Sequence, residues 1–141
     1  MRTPNTVARG CALILEKIVD TVHDAKGRFA FVNEESRIRA QQGFSFKVNP
    51  ELVYERLHTP QDVCIHGTYH RYMDAIMEKG LSVMGRTAIH CATGLPGTVK
   101  SGMRADCETA IYLNTAMMLR DGIPLYRSGN GVLLTRHSVV P

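Results

Sequence analysis

The 141-residue chain has no tryptophan, only 6% aromatic residues and only four cysteines. Cys11, Cys64, Cys91 and Cys107 lie far apart with no CxxC pair, which excludes a zinc knuckle or redox dithiol and leaves buried free thiols. No stretch approaches the roughly 18 consecutive apolar residues of a membrane span. The apolar run CALIL, from Cys11 to Leu15, meets Glu16 and Lys17 at once and has no small-residue cleavage site, so it does not read as a secretory signal. The expected setting is therefore soluble and intracellular, cytoplasmic or nuclear, with no membrane partner. Nucleotide-binding glycine motifs are missing too: the loop from Gly94 to Gly102 is not followed by GKS or GKT, and there is no GxGxxG. No HExxH occurs, and although His66 and His70 are four apart, Gly67 places His66 before the following helix, so no metal site is expected. Acidic excess is absent as well. With 17 Lys plus Arg against 13 Asp plus Glu, a net charge of +4 suits a polyanionic partner without requiring one.

At 44% hydrophobic residues the chain can form one ordinary domain or two small lobes. Leu15, Ile18, Val19 and Val22 share a helical face between Cys11 and His23. Lys26-Gly27 then turns the chain into a β-rich stretch, Arg28 to Val32, and Arg37 to Ala40 makes a second strand, giving a hairpin-like wing behind a helix. The segment NPELVYERL reads as one or two helical turns, and a lobe boundary is expected near residue 60. Beyond it come a short buried strand from Val63 to Ile65 with an exit turn at His66 to Thr68, and a helix from Tyr72 to Lys79 stopped by Gly80, with Met73, Ile76 and Met77 on its apolar face. Strands follow at Ala88–Cys91, Thr109–Leu113, Pro124–Tyr126 and Val132–Thr135, with a helical turn over Asn114–Asp121 and a Gly-Asn-Gly turn before the last strand. The fold class is α+β, built from short strands and helices.

Histidine, glycine, threonine, arginine and asparagine cluster at the turns of this second lobe, where small-molecule sites are commonly built. His66, between an apolar strand and Gly67-Thr68, can hydrogen-bond a sugar hydroxyl while the glycine lets backbone approach a ligand. His90 either faces the same cleft or is satisfied in the core. Arg39, Arg86 and Arg104 each flank a strand or glycine turn, and a guanidinium there can grip phosphate oxygens bidentately. Each of these residues taken alone is equally an ordinary structural or surface residue. A His90-Cys91 catalytic pair is set aside, because neighbouring strand residues point to opposite faces.

The succession HGT at His66–Thr68, KGL at Lys79–Leu81, MGRTAIH at Met84–His90, SGMR at Ser101–Arg104, DGIP at Asp121–Pro124 and SGNGVLLT at Ser128–Thr135 resembles the RNA (tRNA) 2′-phosphotransferase family. KGRF at Lys26–Phe29 and RAQQGFS at Arg39–Ser45 resemble its remaining blocks, in order. The resemblance implies a winged-helix-like N-terminal RNA lobe, residues 1–59, and an ADP-ribosyltransferase-like NAD-binding lobe, residues 60–141. It further implies that an internal RNA 2′-phosphate attacks the nicotinamide ribose of NAD and expels nicotinamide. The ribose 2″-hydroxyl then takes the phosphate, leaving 2′-hydroxyl RNA and ADP-ribose 1″,2″-cyclic phosphate.

Residue by residue, the resemblance makes Arg39 and Arg104 catalytic, on the RNA 2′-phosphate, and gives His66, Gly67, Thr68, Arg86, His90, Gly102 and Val132 to NAD. His90 and Val132 match the second and third positions of a signature that lacks the glutamate of other ADP-ribosyltransferases. Ala88 and Phe44 stand where many members have histidine. The family's Arg-His pair on its first helix has no counterpart in MRTPNTVARGCA, which implies a truncated N-terminus and reduced turnover. The partners implied are NAD as co-substrate and a tRNA bearing an internal 2′-phosphate, met by a monomer. The readings from other classes are a catalytically impaired NAD- or RNA-binding module and an ADP-ribosyltransferase acting on a nucleic-acid phosphate end.

Overall fold

A computed structural model describes residues 25–32, 37–44 and 46–136. The expected helix over Cys11–His23 lies outside them. Contacts divide the chain into two units, Met1–Ala40 and Gln41–Pro141. In the first, strand β1 (Phe29–Val32) pairs antiparallel with β2 (Arg37–Ala40), in register from Phe29↔Ala40 to Val32↔Arg37. This is the expected hairpin.

The second unit begins well before residue 60, because residues 41–59 supply elements that pair within it. Asn49 caps a single helical turn, α1 (Pro50–Val53), by accepting the Glu51 amide at 3.1 Å, with Pro50 at the first position where a missing N–H costs nothing. Of the one or two helical turns expected in NPELVYERL, one forms. Tyr54 is extended (φ −117°) and the chain continues as β3 (Glu55–Leu57), whose ladder with β7 (Leu125–Arg127) captures the backbone groups a helix would have used.

The unit is mixed α/β, with small sheets and few helices. A four-stranded sheet has the order β3-β7-β8-β5, where β5 is Ile89–Cys91 and β8 is Leu133–Thr135. A two-stranded sheet pairs β4 (Ile65–Thr68) with β6 (Thr109–Tyr112), antiparallel from Ile65↔Tyr112 to Thr68↔Thr109. The His66–Thr68 stretch expected as an exit turn is therefore strand, drawn out by this pairing. A 3₁₀ turn (His70–Tyr72) leads into helix α2 (Met73–Lys79), which Gly80 ends at φ +78°. Helix α3 (Thr115–Arg120) is capped by Asn114, which accepts the Met117 amide at 3.0 Å. No helix among the described residues is long and apolar enough to cross a membrane.

Alternation along the strands gives the four-stranded sheet two different faces. One carries Leu57, Leu125, Leu133, Ile89 and Cys91 into a core closed by Cys64, Leu81, Ile111, Leu113 and Met118. Met73 and Ile76 of α2 pack on it, whereas Met77, expected on the same apolar face, is 61% exposed. Cys64 and Cys91 are buried free thiols, as expected, and Cys107 is partly exposed. Leu133 is fully buried and Leu52 is 79% exposed. Leu133→Ala is expected to lower unfolding free energy by about 2–5 kcal/mol and Leu52→Ala by no more than about 0.5 kcal/mol, as urea denaturation will measure.

Candidate functional site

The opposite face of the four-stranded sheet holds a row in direct register, Arg56↔Tyr126↔Leu134↔His90. Ala88 and Val132 join Tyr54, Tyr126 and Leu134 in a second, smaller cluster. His90 thus stands at the end of this row, on the edge strand β5.

Strand β4 reaches that edge through one bridge only, Ile65↔Ala92, whose reciprocal backbone bonds measure 2.9 and 2.7 Å. Beyond it the strands part, β4 toward β6 and β5 toward β8. In a continued ladder a backbone amide of β4 would bond the His90 carbonyl. Here the side chain of His66 takes that carbonyl instead, Nδ1 to oxygen at 2.9 Å. The two histidines that the sequence places far apart meet at this split.

The partners assign the tautomers. Because a carbonyl oxygen only accepts, Nδ1 of His66 carries its hydrogen, and so does Nδ1 of His90, which lies 3.2 Å from the Ala88 carbonyl. In the neutral rings both Nε2 atoms are bare acceptors. His90 Nε2 is buried with no hydrogen-bond partner. His90 is therefore not satisfied in the core, one of the two outcomes its sequence position left open. Burial first, then the positive charge of Arg86, and last His66 hold the His90 imidazole below the usual histidine range, with the Ala88 bond opposing them. A neutral ring with an unused lone pair suits a hydroxyl donor.

The glycines have a packing reason of their own. A Cβ at Gly67 would collide with Met103 and come within 2.8 Å of Cys107 Sγ. At Gly102, where φ is +89°, it would lie 2.8 Å from the Cys91 carbonyl oxygen. The open side of each glycine is occupied by the chain itself, so both serve close internal packing. Thr68 is buried, and its carbonyl accepts the Glu108 amide at 3.0 Å. Val132 is buried at the end of the Ser128–Gly131 turn, where its amide donates to Ser128 Oγ at 3.0 Å and its carbonyl accepts the Ser128 amide at 2.9 Å. Gly129 in that turn lies against the Gln41 side chain, a contact no sequence motif announces.

Arg86 and Arg104 are exposed, and no carboxylate pairs with either guanidinium among the described residues. Arg39 is exposed on β2, in the first unit. Among the described residues no group of three or more His, Cys, Asp or Glu could hold a metal ion.

The unit is thus a small mixed α/β fold in which two sheets part and His66 and His90 lie at the parting. The particular family is shown by sequence. The pattern of the RNA 2′-phosphotransferase, Tpt1 / KptA family matches residues 6–137, and the chain belongs to that family. It is similar to tRNA 2′-phosphotransferase 1 of Bos taurus, 47% identical over 130 residues that cover 86% of this chain and 50% of the relative. The Homo sapiens protein of the same name is 45% identical over the same shares. A probable RNA 2′-phosphotransferase of Acaryochloris marina is 37% identical over 124 residues, 88% of this chain and 66% of that protein. The chain spans about half the length of the mammalian relatives it matches.

Because the unfolded chain takes up a histidine proton near the ordinary value of 6.5 while folded His90 refuses it, His90 destabilises the fold as pH drops through 6.5 toward its lower folded value. Urea denaturation between about pH 7.5 and 5.5 should show a loss of stability on acidification that is smaller in His90→Gln. Equal losses in the two proteins would mean that His90 titrates normally.

Proposed function

We propose that this chain carries out the reaction its family is named for, removing an internal 2′-phosphate from RNA, a tRNA splice junction in particular, by transfer to NAD. The observation that carries the reading is the pair of imidazoles at the β4–β5 split, with the buried Nε2 of His90 lacking any protein partner. An acceptor left without a partner costs about 1–3 kcal/mol, which a ligand hydroxyl would recover. NAD fits that vacancy in hydrogen-bonding sense, since its ribose hydroxyls are donors and a neutral imidazole accepts.

NAD supplies a glycosidic bond that breaks with loss of neutral nicotinamide, so the protein need only position and stabilise charge. His66 and His90 orient the sugar by accepting from its hydroxyls, and the strand turns at Thr68 and Val132 shape the walls of the cleft. Gly67 and Gly102 act by letting the chain close tightly on β4 and β5. Burial, aided by the positive charge of Arg86, holds His90 neutral, and Arg86 contributes charge toward the pyrophosphate. Arg104 binds the RNA 2′-phosphate through a fork that matches two oxygens, and is available for this because no carboxylate among the described residues neutralises it; Arg39, on the hairpin of the first unit, is by the family resemblance also a ligand of RNA phosphate. The β1–β2 hairpin reads as the wing of a winged-helix-like RNA lobe. The paired small sheets of the second unit read as an ADP-ribosyltransferase-like lobe.

Incubation of the chain with NAD and a short RNA bearing one internal 2′-phosphate tests this directly. The expected products are 2′-hydroxyl RNA and free nicotinamide in equal amounts. Arg104→Ala should lower turnover roughly 10- to 100-fold, the worth of one charge-assisted phosphate contact. A stable RNA–ADP-ribose adduct would instead indicate transfer to RNA without release, and NAD-induced thermal stabilisation without nicotinamide would indicate a binding module.

A further inference from the structure

Arg104 lies in the irregular stretch between Ser101 and Glu108, and both ends of that stretch are fastened. Gly102 sits on the backbone of Cys91 and Ala92, at the end of β5. Met103 and Cys107 cover Gly67 in β4, and Glu108 bonds Thr68 through its amide at 3.0 Å and the His70 amide through its carboxylate at 2.9 Å. Between these anchors the chain turns, with the Cys107 amide reaching the Arg104 carbonyl at 3.4 Å.

The turn contains a hazard for a phosphate-binding arginine. Asp106 is exposed and two residues from Arg104, close enough in a tight turn to pair with its guanidinium and occupy it. It does not. The Tyr69 hydroxyl donates to Asp106 Oδ1 at 3.2 Å, the only hydrogen bond made by a side chain of residues 103–107 among the described residues. Tyr69 is in turn braced. The Arg71 guanidinium stacks over its ring at 5.1 Å and over that of Tyr72 at 4.8 Å, and the two rings meet edge to face.

We propose that Tyr69 is a positioning residue that tethers the Asp106 carboxylate to the exit of β4 and so keeps Arg104 unpaired and open to an RNA phosphate. This rests on the phosphate-binding role proposed for Arg104. Tyr69 touches neither substrate; it acts by withholding a competing anion.

Steady-state kinetics with 2′-phosphorylated RNA and NAD, on the full chain, separates this from a structural role. In Tyr69→Phe the carboxylate is released, and the KM for RNA should rise about 3- to 5-fold, the scale of one exposed ion pair, with kcat and the KM for NAD unchanged. Asp106→Asn, whose amide oxygen still accepts from Tyr69, should behave as the parent does. The double variant Tyr69→Phe/Asp106→Asn should regain the parent KM, because no anion remains to compete. An unchanged KM in Tyr69→Phe, or a raised KM that Asp106→Asn does not rescue, overturns the proposal. If the parent chain itself removes no phosphate, the functional reading fails separately. The tether is then decided without RNA, from the Arg104 Nε–H resonance. That resonance should shift in Tyr69→Phe and return in the double variant; no shift would overturn the tether as well.

Discussion

The site depends on a sheet that stops being continuous. One antiparallel bridge, Ile65↔Ala92, joins the two sheets of the second unit, and past it the backbones diverge. Divergence inside a protein leaves carbonyls without amides, each costly unless satisfied. His66 satisfies one by lending its Nδ1–H to the His90 carbonyl, and this fixes the orientation of its own ring. The same act brings the two imidazoles together. One hydrogen bond meets the structural need.

Around that junction the chain uses close packing to keep the split from spreading. Gly67 and Gly102 admit the stretch carrying Arg104 tightly against β4 and β5, and the Ser128–Gly131 turn holds Val132 beside the His90 face through Ser128. Beneath, the fully buried Leu125 and Leu133 press one face of the four-stranded sheet onto the core. The face turned the other way is the one that can afford an unpartnered imidazole nitrogen. Polar groups gather where the packing is incomplete.

Much of the architecture was legible from local pattern. The hairpin of Phe29–Val32 with Arg37–Ala40, the helix stopped by Gly80, the strand from Thr109 and the turn through Asn130 came from β-propensity, helical periodicity and glycine, which act over a few residues. The misreadings share one cause, pairing at long range. Whether NPELVYERL holds one helical turn or two was decided by the pairing of Glu55–Leu57 with residues 125–127, and His66–Thr68 became strand through residues 109–111. For the same reason the second unit begins at Gln41.

The sequence by itself determined which family this chain belongs to, where glycines break its elements and which histidines and arginines were worth watching, because these are written in residue identity and spacing. Tertiary structure alone decided what those residues face. It turned His90 Nε2 into a buried acceptor without a partner and gave the space beside Gly67 to Met103 and Cys107. It also tied Asp106 to Tyr69, and among the described residues no carboxylate pairs with Arg104. Those outcomes turn on hydrogen bonds and contacts between residues tens of positions apart, and no local pattern carries that information.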